Sequence, residues 1–243
     1  MAEEAVMGIL PMPKRWWLAA LVVVVAGACG SSKTSSDSGS GPGPGSGSDP
    51  GSGTKTLYAG IELDLAALGG GATATPELTV VLARGMRGGP SVSGAAVVLT
   101  APDGATVTGT EDTMAPGSYR ASGFVWKPSW HAQISAGADQ LELTIAAPGE
   151  TTITSPMQGA TVAAGPVTFQ WMDAWGAQAQ SVWADCCGNP IVMLTDSGTG
   201  TIPVSAPASE VTIYRQNALV PAGGAAGSLA TAETSYGVYV QVQ

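Results

Sequence analysis

Residues 130–145 read WHAQISAGADQLELTI. Leu141, Leu143 and Ile145 alternate with Gln140, Glu142 and Thr144, and Trp130, Ala132 and Ile134 alternate with His131, Gln133 and Ser135. A period of two belongs to a strand with one face in a core and the other in water. Gly137-Ala138-Asp139 separates the two runs and supplies the turn residues of a hairpin. Two neighbouring strands with their apolar sides matched point to an all-β chain.

Reading outward toward the N-terminus, strands are expected at 57–65, 77–84, 95–100, 106–109 and 118–122. Pro102-Asp103-Gly104 is a turn, because Pro presets φ and Gly accepts a positive φ. Seven short strands at near-regular spacing suggest an antiparallel sandwich over 56–148. Reading outward toward the C-terminus, Val167, Phe169 and Trp171 alternate with Thr168 and Gln170, which places Trp171 in a core. Further strands are expected at 180–184, 191–194, 201–205, 210–215 and 235–242, and the Ala/Gly-rich stretch 217–231 is expected to be a long loop. The fold class is therefore all-β, with two antiparallel β-sandwich modules at 56–148 and 149–243 that meet at the turn signal Pro148-Gly149.

Composition agrees. Thirty-four Gly and seventeen Pro make about a fifth of the 243 residues, which disfavours long helices. Charged residues are 11% of the chain and the formal net charge is −9. A nucleic-acid partner is disfavoured, because phosphate binding needs a basic face. One His and three Cys leave too few ligands for a multi-Cys zinc, c-type haem or iron–sulfur site, so no cofactor or metal is expected.

The N-terminal stretch is an address. Lys14 and Arg15 precede an apolar run from Trp16 to Ala28, 13 residues long. A spanning helix needs about 20 residues, so a basic n-region followed by a short h-region fits an export signal better. Met7 and Met12 are alternative starts. The sequence Ala26-Gly27-Ala28-Cys29-Gly30-Ser31-Ser32 resembles the lipobox of bacterial lipoproteins, with Ala26 where Leu is preferred. That resemblance implies a signal peptide over 1–28 and an acyl chain (palmitate) on Cys29. With Gly30 after the Cys, it implies an outer-membrane destination. Ala26-Gly27-Ala28 also satisfies the A-x-A rule of ordinary signal peptidase, which leaves plain secretion as the alternative. Residues 29–55 form the lipidated Cys and a Gly/Ser/Pro tether. From Gly30 to Thr54 there is no Val, Leu, Ile or aromatic residue, so no core is available and disorder is expected. A coil of about 25 residues reaches roughly 25–30 Å, enough to hold a domain just off a membrane.

Two further resemblances concern the folded modules. Val92-Ser93-Gly94-Ala95-Ala96-Val97-Val98-Leu99, the turn at Asp103-Gly104 and Pro116-Gly117-Ser118-Tyr119-Arg120 resemble carboxypeptidase-regulatory-like and transthyretin-like sandwich domains. Ile153-Thr154-Ser155-Pro156, Gly159-Ala160-Thr161-Val162 and the strand ending at Trp171 resemble the opening of immunoglobulin-like and fibronectin-III-like domains. The first implies a module attached to something else and says almost nothing about function.

Few residues are candidates for chemistry. Cys186 and Cys187 are adjacent, and a vicinal disulfide is one expectation. Neighbouring Cα atoms lie about 3.8 Å apart, against about 4.4–6.8 Å in ordinary disulfides, so an intermolecular bridge and two thiols stay open. His131 is read as solvent-facing, and 89–94 misses G-x-S-x-G by one residue. Glu62 with Asp64, and Glu111 with Asp112, are candidate carboxylate pairs, read more simply as strand-surface residues and turn caps. Trp126, Trp175 and Trp183 lie near expected loops and are the candidates for an exposed ligand platform, with core or interdomain packing the favoured alternative for each, while Trp130 and Trp171 read as core. The function expected is a non-enzymatic structural or protein-binding module of the cell envelope, joined to a membrane through its lipid. The alternative is a carbohydrate-binding or accessory subunit of a secreted enzyme, with a polysaccharide as partner.

Overall fold

Alternating burial sets the strand bounds. The structure, a computed structural model, describes residues 56–69, 75–175, 178–186, 191–205 and 207–243. The signal, Cys29, the tether and Cys187 lie outside them. The first strands are β1 (Leu57–Leu68), β2 (Glu77–Arg84), β3 (Ala96–Thr100), β4 (Thr106–Glu111), β5 (Ser118–Ser122), β6 (Ser129–Ala136) and β7 (Asp139–Ala146). Then come β8 (Thr151–Ser155), β9 (Thr161–Val162), β10 (Gly165–Asp173) and β11 (Ser181–Cys186). The chain continues through β12 (Val192–Leu194), β13 (Thr199–Val204), β14 (Ala208–Leu219) and β15 (Leu229–Val242).

The chain is all-β, as its alternation implies. Leu141, Leu143 and Ile145 of β7 and Trp130, Ala132 and Ile134 of β6 are buried on one side. Gly137 takes a φ of 68° in the turn between them, a conformation that L side chains resist.

One sheet runs in the order β12-β11-β14-β15-β1-β2-β5-β4-β3-β6-β7, with β9 added beside β15. A second sheet runs β13-β10-β8. β4 turns a corner in the large sheet. Its residues Thr106 to Gly109 pair with β3, and its last two pair with β5. At that corner a Cβ on Gly109 would lie 3.2 Å from both Val97 and Tyr119, so the small residue lets the faces close.

Two apolar cores result. The first holds Leu63, Val80, Leu99, Trp130 and Ile134. The second holds Phe169, Trp171, Ile202, Ile213 and Val240. Fully burying a side chain of this size contributes about 1.5–3 kcal/mol.

β15 serves both cores. Its even-numbered residues point inward: Ala230 and Ala232 enter the first core, and Val238, Val240 and Val242 enter the second. All the described residues fall within one compact unit. The irregular link around Pro148-Gly149 carries the chain from the first core to the second, and β15 then returns to both.

Three expectations change. The stretch 217–231 is not a long loop, because β14 continues to Leu219 and β15 begins at Leu229. Residues 151–155, where no strand is expected, form β8 against β10. The pairing is not wholly antiparallel: β1 and β9 both run parallel to β15.

Candidate functional site

The candidate platform resolves into different surroundings for its three members. Trp126 leaves the platform for the favoured alternative, core packing: it is 6% exposed and belongs to the first core. Its segment folds under the link between the cores, and its indole Nε1–H donates to Pro148 O at 2.9 Å. Trp175 is 43% exposed in the loop after β10, where its backbone N–H donates to Asp173 Oδ1 at 3.1 Å. Trp183 is half-buried on the outward side of β11, in the other sheet. The three therefore form no common platform. Trp130 and Trp171 are buried, as their alternation implies.

Trp183 has a different aromatic neighbour. Its ring stacks on Tyr214 of β14, with centroids 5.3 Å apart and planes 6° apart. The register continues the row: Met193 faces Trp183 across β12, and Ser235 faces Tyr214 across β15. Met193 is exposed. Ser181, Gln216 and Glu233 occupy the next outward row, two residues along each strand. Gln216 Nε2–H donates to Glu233 Oε2 at 3.0 Å. An offset aromatic pair beside amide and carboxylate groups suits a ligand with one apolar face and hydroxyls at its edge. Sequence reading misses Tyr214. It shares outward parity with Thr212 and Gln216, but cross-strand register is not visible in one sequence.

A buried polar seam joins the two cores. Val211, Ile213, Arg215 and Asn217 share the inward side of β14. The Arg215 side chain is 1% exposed. Its Nε–H and Nη2–H donate to Asp196 Oδ1 and Oδ2 at 2.9 and 2.8 Å. Asp173 Oδ2 lies 3.2 Å from Nη2, and Nη1–H donates to Gly149 O at 3.3 Å. Thr234 Oγ1–H donates to the same carbonyl at 3.2 Å and lies 2.9 Å from Thr151 Oγ1. Asn217 donates to Ala146 O and accepts the Gln180 N–H. Gly149 is required by this closeness, since a Cβ there would sit 2.8 Å from Asp173 Oδ1. The link 146–151 is thus held by side chains of β14 and β15.

Burial works against the Asp196 charge. The Arg215 fork, the Ala179 N–H and the nearby Trp171 indole outweigh it and hold the carboxyl below its ordinary value. Bidentate, charge-assisted bonds of this kind are the strong ones.

The remaining candidates have structural partners. Glu111 accepts the backbone N–H of Gly117 and of Gly94, each at 2.9 Å, and these bonds hold its carboxyl below the usual range. Asp112 caps the following turn through the Met114 N–H. Glu62 and Asp64 lie on the outward side of β1. His131 Nδ1 lies 3.1 Å from Thr144 Oγ1, in a shallow depression shared with Thr100, Ser129 and Gln133. Cys186 is buried at the end of β11, in the second core. Among the described residues no group of three or more His, Cys, Asp or Glu is placed to hold a metal ion.

These elements define a class, a pair of β-sandwiches fused through one strand. No protein-family model matches the chain, and no curated protein matches it. Among solved structures, it is similar to fibronectin(III)-like modules of Clostridium thermocellum, at 13% identity over 76% of this chain and 95% of that one, with a TM-score of 0.26. It is also similar to an adhesin of Yersinia pseudotuberculosis, at 13% identity over 75% of this chain and 60% of that one, with a TM-score of 0.25. Superpositions this loose carry no argument about function.

Proposed function

We propose that the protein is a non-enzymatic envelope lipoprotein, cut before Cys29, lipidated there, and displayed off the outer membrane as a structural or protein-binding module. The observation that carries the role is the fusion of the two cores. β15 feeds both, and the buried Arg215 seam grips the link between them. A body of this kind presents both sandwiches to a partner as one piece at the end of the tether. The N-terminal signal grammar supports the address, and the tether supplies reach. With a net charge of −9, attraction to anionic lipid is weak, so acyl chains do the anchoring.

Intact mass and membrane fractionation of the native protein test this, beside a Cys29→Ser variant. The expected result is acyl mass on an N-terminal Cys29 and a membrane-bound chain, both lost in the variant. A soluble, unmodified native chain overturns the reading.

A second reading, a carbohydrate-binding or accessory module of a secreted enzyme, is favoured by the stacked Trp183–Tyr214 pair with Gln216 and Glu233 beside it. A polysaccharide that shifts tryptophan fluorescence in the native chain, with no shift in Trp183→Ala, supports it. No response across a broad glycan panel counts against it.

A further inference from the structure

Every methionine beyond residue 55 is on the surface. Met86 is 64% exposed, Met114 91%, Met157 73%, Met172 60% and Met193 56%. None belongs to any of the apolar clusters. Met is ordinarily among the residues found buried, where its flexible thioether fills gaps. Packing therefore does not account for these five. Local conformation does not account for them either. Met86, Met114 and Met157 lie in turns, where Gly, Pro, Asn, Asp and Ser are the usual choices. Met172 and Met193 lie on the outward sides of β10 and β12, where polar or β-branched residues serve a strand as well. What the five share is a thioether sulfur open to water, spread over both sandwiches.

We propose that these methionines are a sink for two-electron oxidants of the hypohalous acid class. The thioether lone pair attacks the chlorine of hypochlorous acid, forming an S–Cl bond and breaking Cl–O. Water then adds its oxygen to sulfur and chloride leaves. The balance is one thioether and one hypochlorous acid giving one sulfoxide, one proton and one chloride. Sulfur is oxidised by two electrons and chlorine is reduced to chloride. A thiol-dependent sulfoxide reductase reverses the change, so the sink is renewable. In an ordinary core the polar sulfoxide disrupts packing. Here the cores are built from Leu, Ile, Val, Ala and aromatic side chains with Cys186, and hold no methionine to convert. The placement separates the oxidisable thioethers from the groups that hold the fold. This inference does not depend on the membrane anchor.

The test is a titration of the mature chain with hypochlorite from zero to about ten molar equivalents, followed by intact mass, peptide mapping and near-ultraviolet circular dichroism. Five oxygens of about 16 Da each are expected at these five positions, Met114 first, with the dichroism and melting temperature unchanged. A companion assay adds a reporter enzyme with an oxidisable thioether. The native chain should raise the dose that half-inactivates the reporter by about five equivalents per molecule, one per exposed methionine. A variant with all five changed to Gln should not. The proposal fails if fewer than five methionines react before the fold melts. It also fails if the Gln variant, shown folded by dichroism, protects the reporter as well as the native chain does.

Discussion

Replacing Arg215 by Ala should remove the keystone of the seam. The Arg215 side chain is 1% exposed, and those of Asp196 and Asp173 are 10% and 19% exposed. The substitution leaves Asp196 in a site that burial already disfavours, with the Ala179 N–H still bonded and the guanidinium gone. Breaking a buried pair by removing one partner costs about 3–5 kcal/mol. That is a large part of the roughly 5–15 kcal/mol that holds a typical domain together. For a body of about 150–250 residues each kcal/mol moves the melting temperature by about 2–4 °C, so the fall should be roughly 6–20 °C. The assay is thermal and urea unfolding followed by circular dichroism, in a double-mutant cycle of Arg215→Met with Asp196→Asn. A coupling energy of at least about 2 kcal/mol is expected for groups in bidentate contact. A coupling below about 0.5 kcal/mol, or a melting shift under about 2 °C, would refute the reasoning.

Tyr119→Phe should cost about 1–3 kcal/mol of stability, read from the urea midpoint, because its hydroxyl donates to Val92 O at 2.8 Å and accepts the Ala95 N–H at 2.9 Å in a buried corner. Acidification should reveal Asp196 and Glu111. Their folded-state pKa values are lowered, so their stabilisation is present above the unfolded carboxyl range of about pH 4 and is lost as pH falls through the folded values. Asp196→Asn and Glu111→Gln should therefore flatten the acid limb of a stability curve measured from neutral pH downward; an acid limb as steep as the native one would be the contrary result. Gly109→Val should destabilise by about 1–3 kcal/mol through overpacking, since Val97 and Tyr119 leave no room for a side chain there. An unchanged melting temperature would show that the corner relaxes.

The fold is legible wherever one face of a strand is apolar. The ranges 77–84 and 118–122 coincide with β2 and β5, because Leu78, Val80 and Leu82 keep a strict period and Gly117 and Gly123 bracket the short strand. The same rule misleads at 217–231. There the small residue Ala230 reads as loop, although it is an inward strand position of β15 that packs into the first core. Trp126 reads as a loop-side Trp that either packs inward or meets a ligand, because no strand is expected around it. That loop lies beneath the link at Pro148, a relation between distant segments. The seam carries a readable signal: Val211, Ile213, Arg215 and Asn217 continue one inward period, which places a charge where a charge needs a partner. Its partners, Asp196 and Asp173, come from other strands and loops and are not readable. Tyr214 likewise becomes a site residue only through the register that sets it beside Trp183.

The two-core service of β15 has a temporal consequence. Ala59 of β1 donates its N–H to the Ser228 hydroxyl, 169 residues away. The next residues place Ala230 and Ala232 under the first sandwich. A chain emerging from the ribosome therefore holds an unclosed first core until residues 228–232 have been delivered. Contacts of such long separation close slowly. The topology ties cooperative closure of the first core to the delivery of β15, which in an exported chain, as proposed above, would keep the preceding strands threadable until β15 follows.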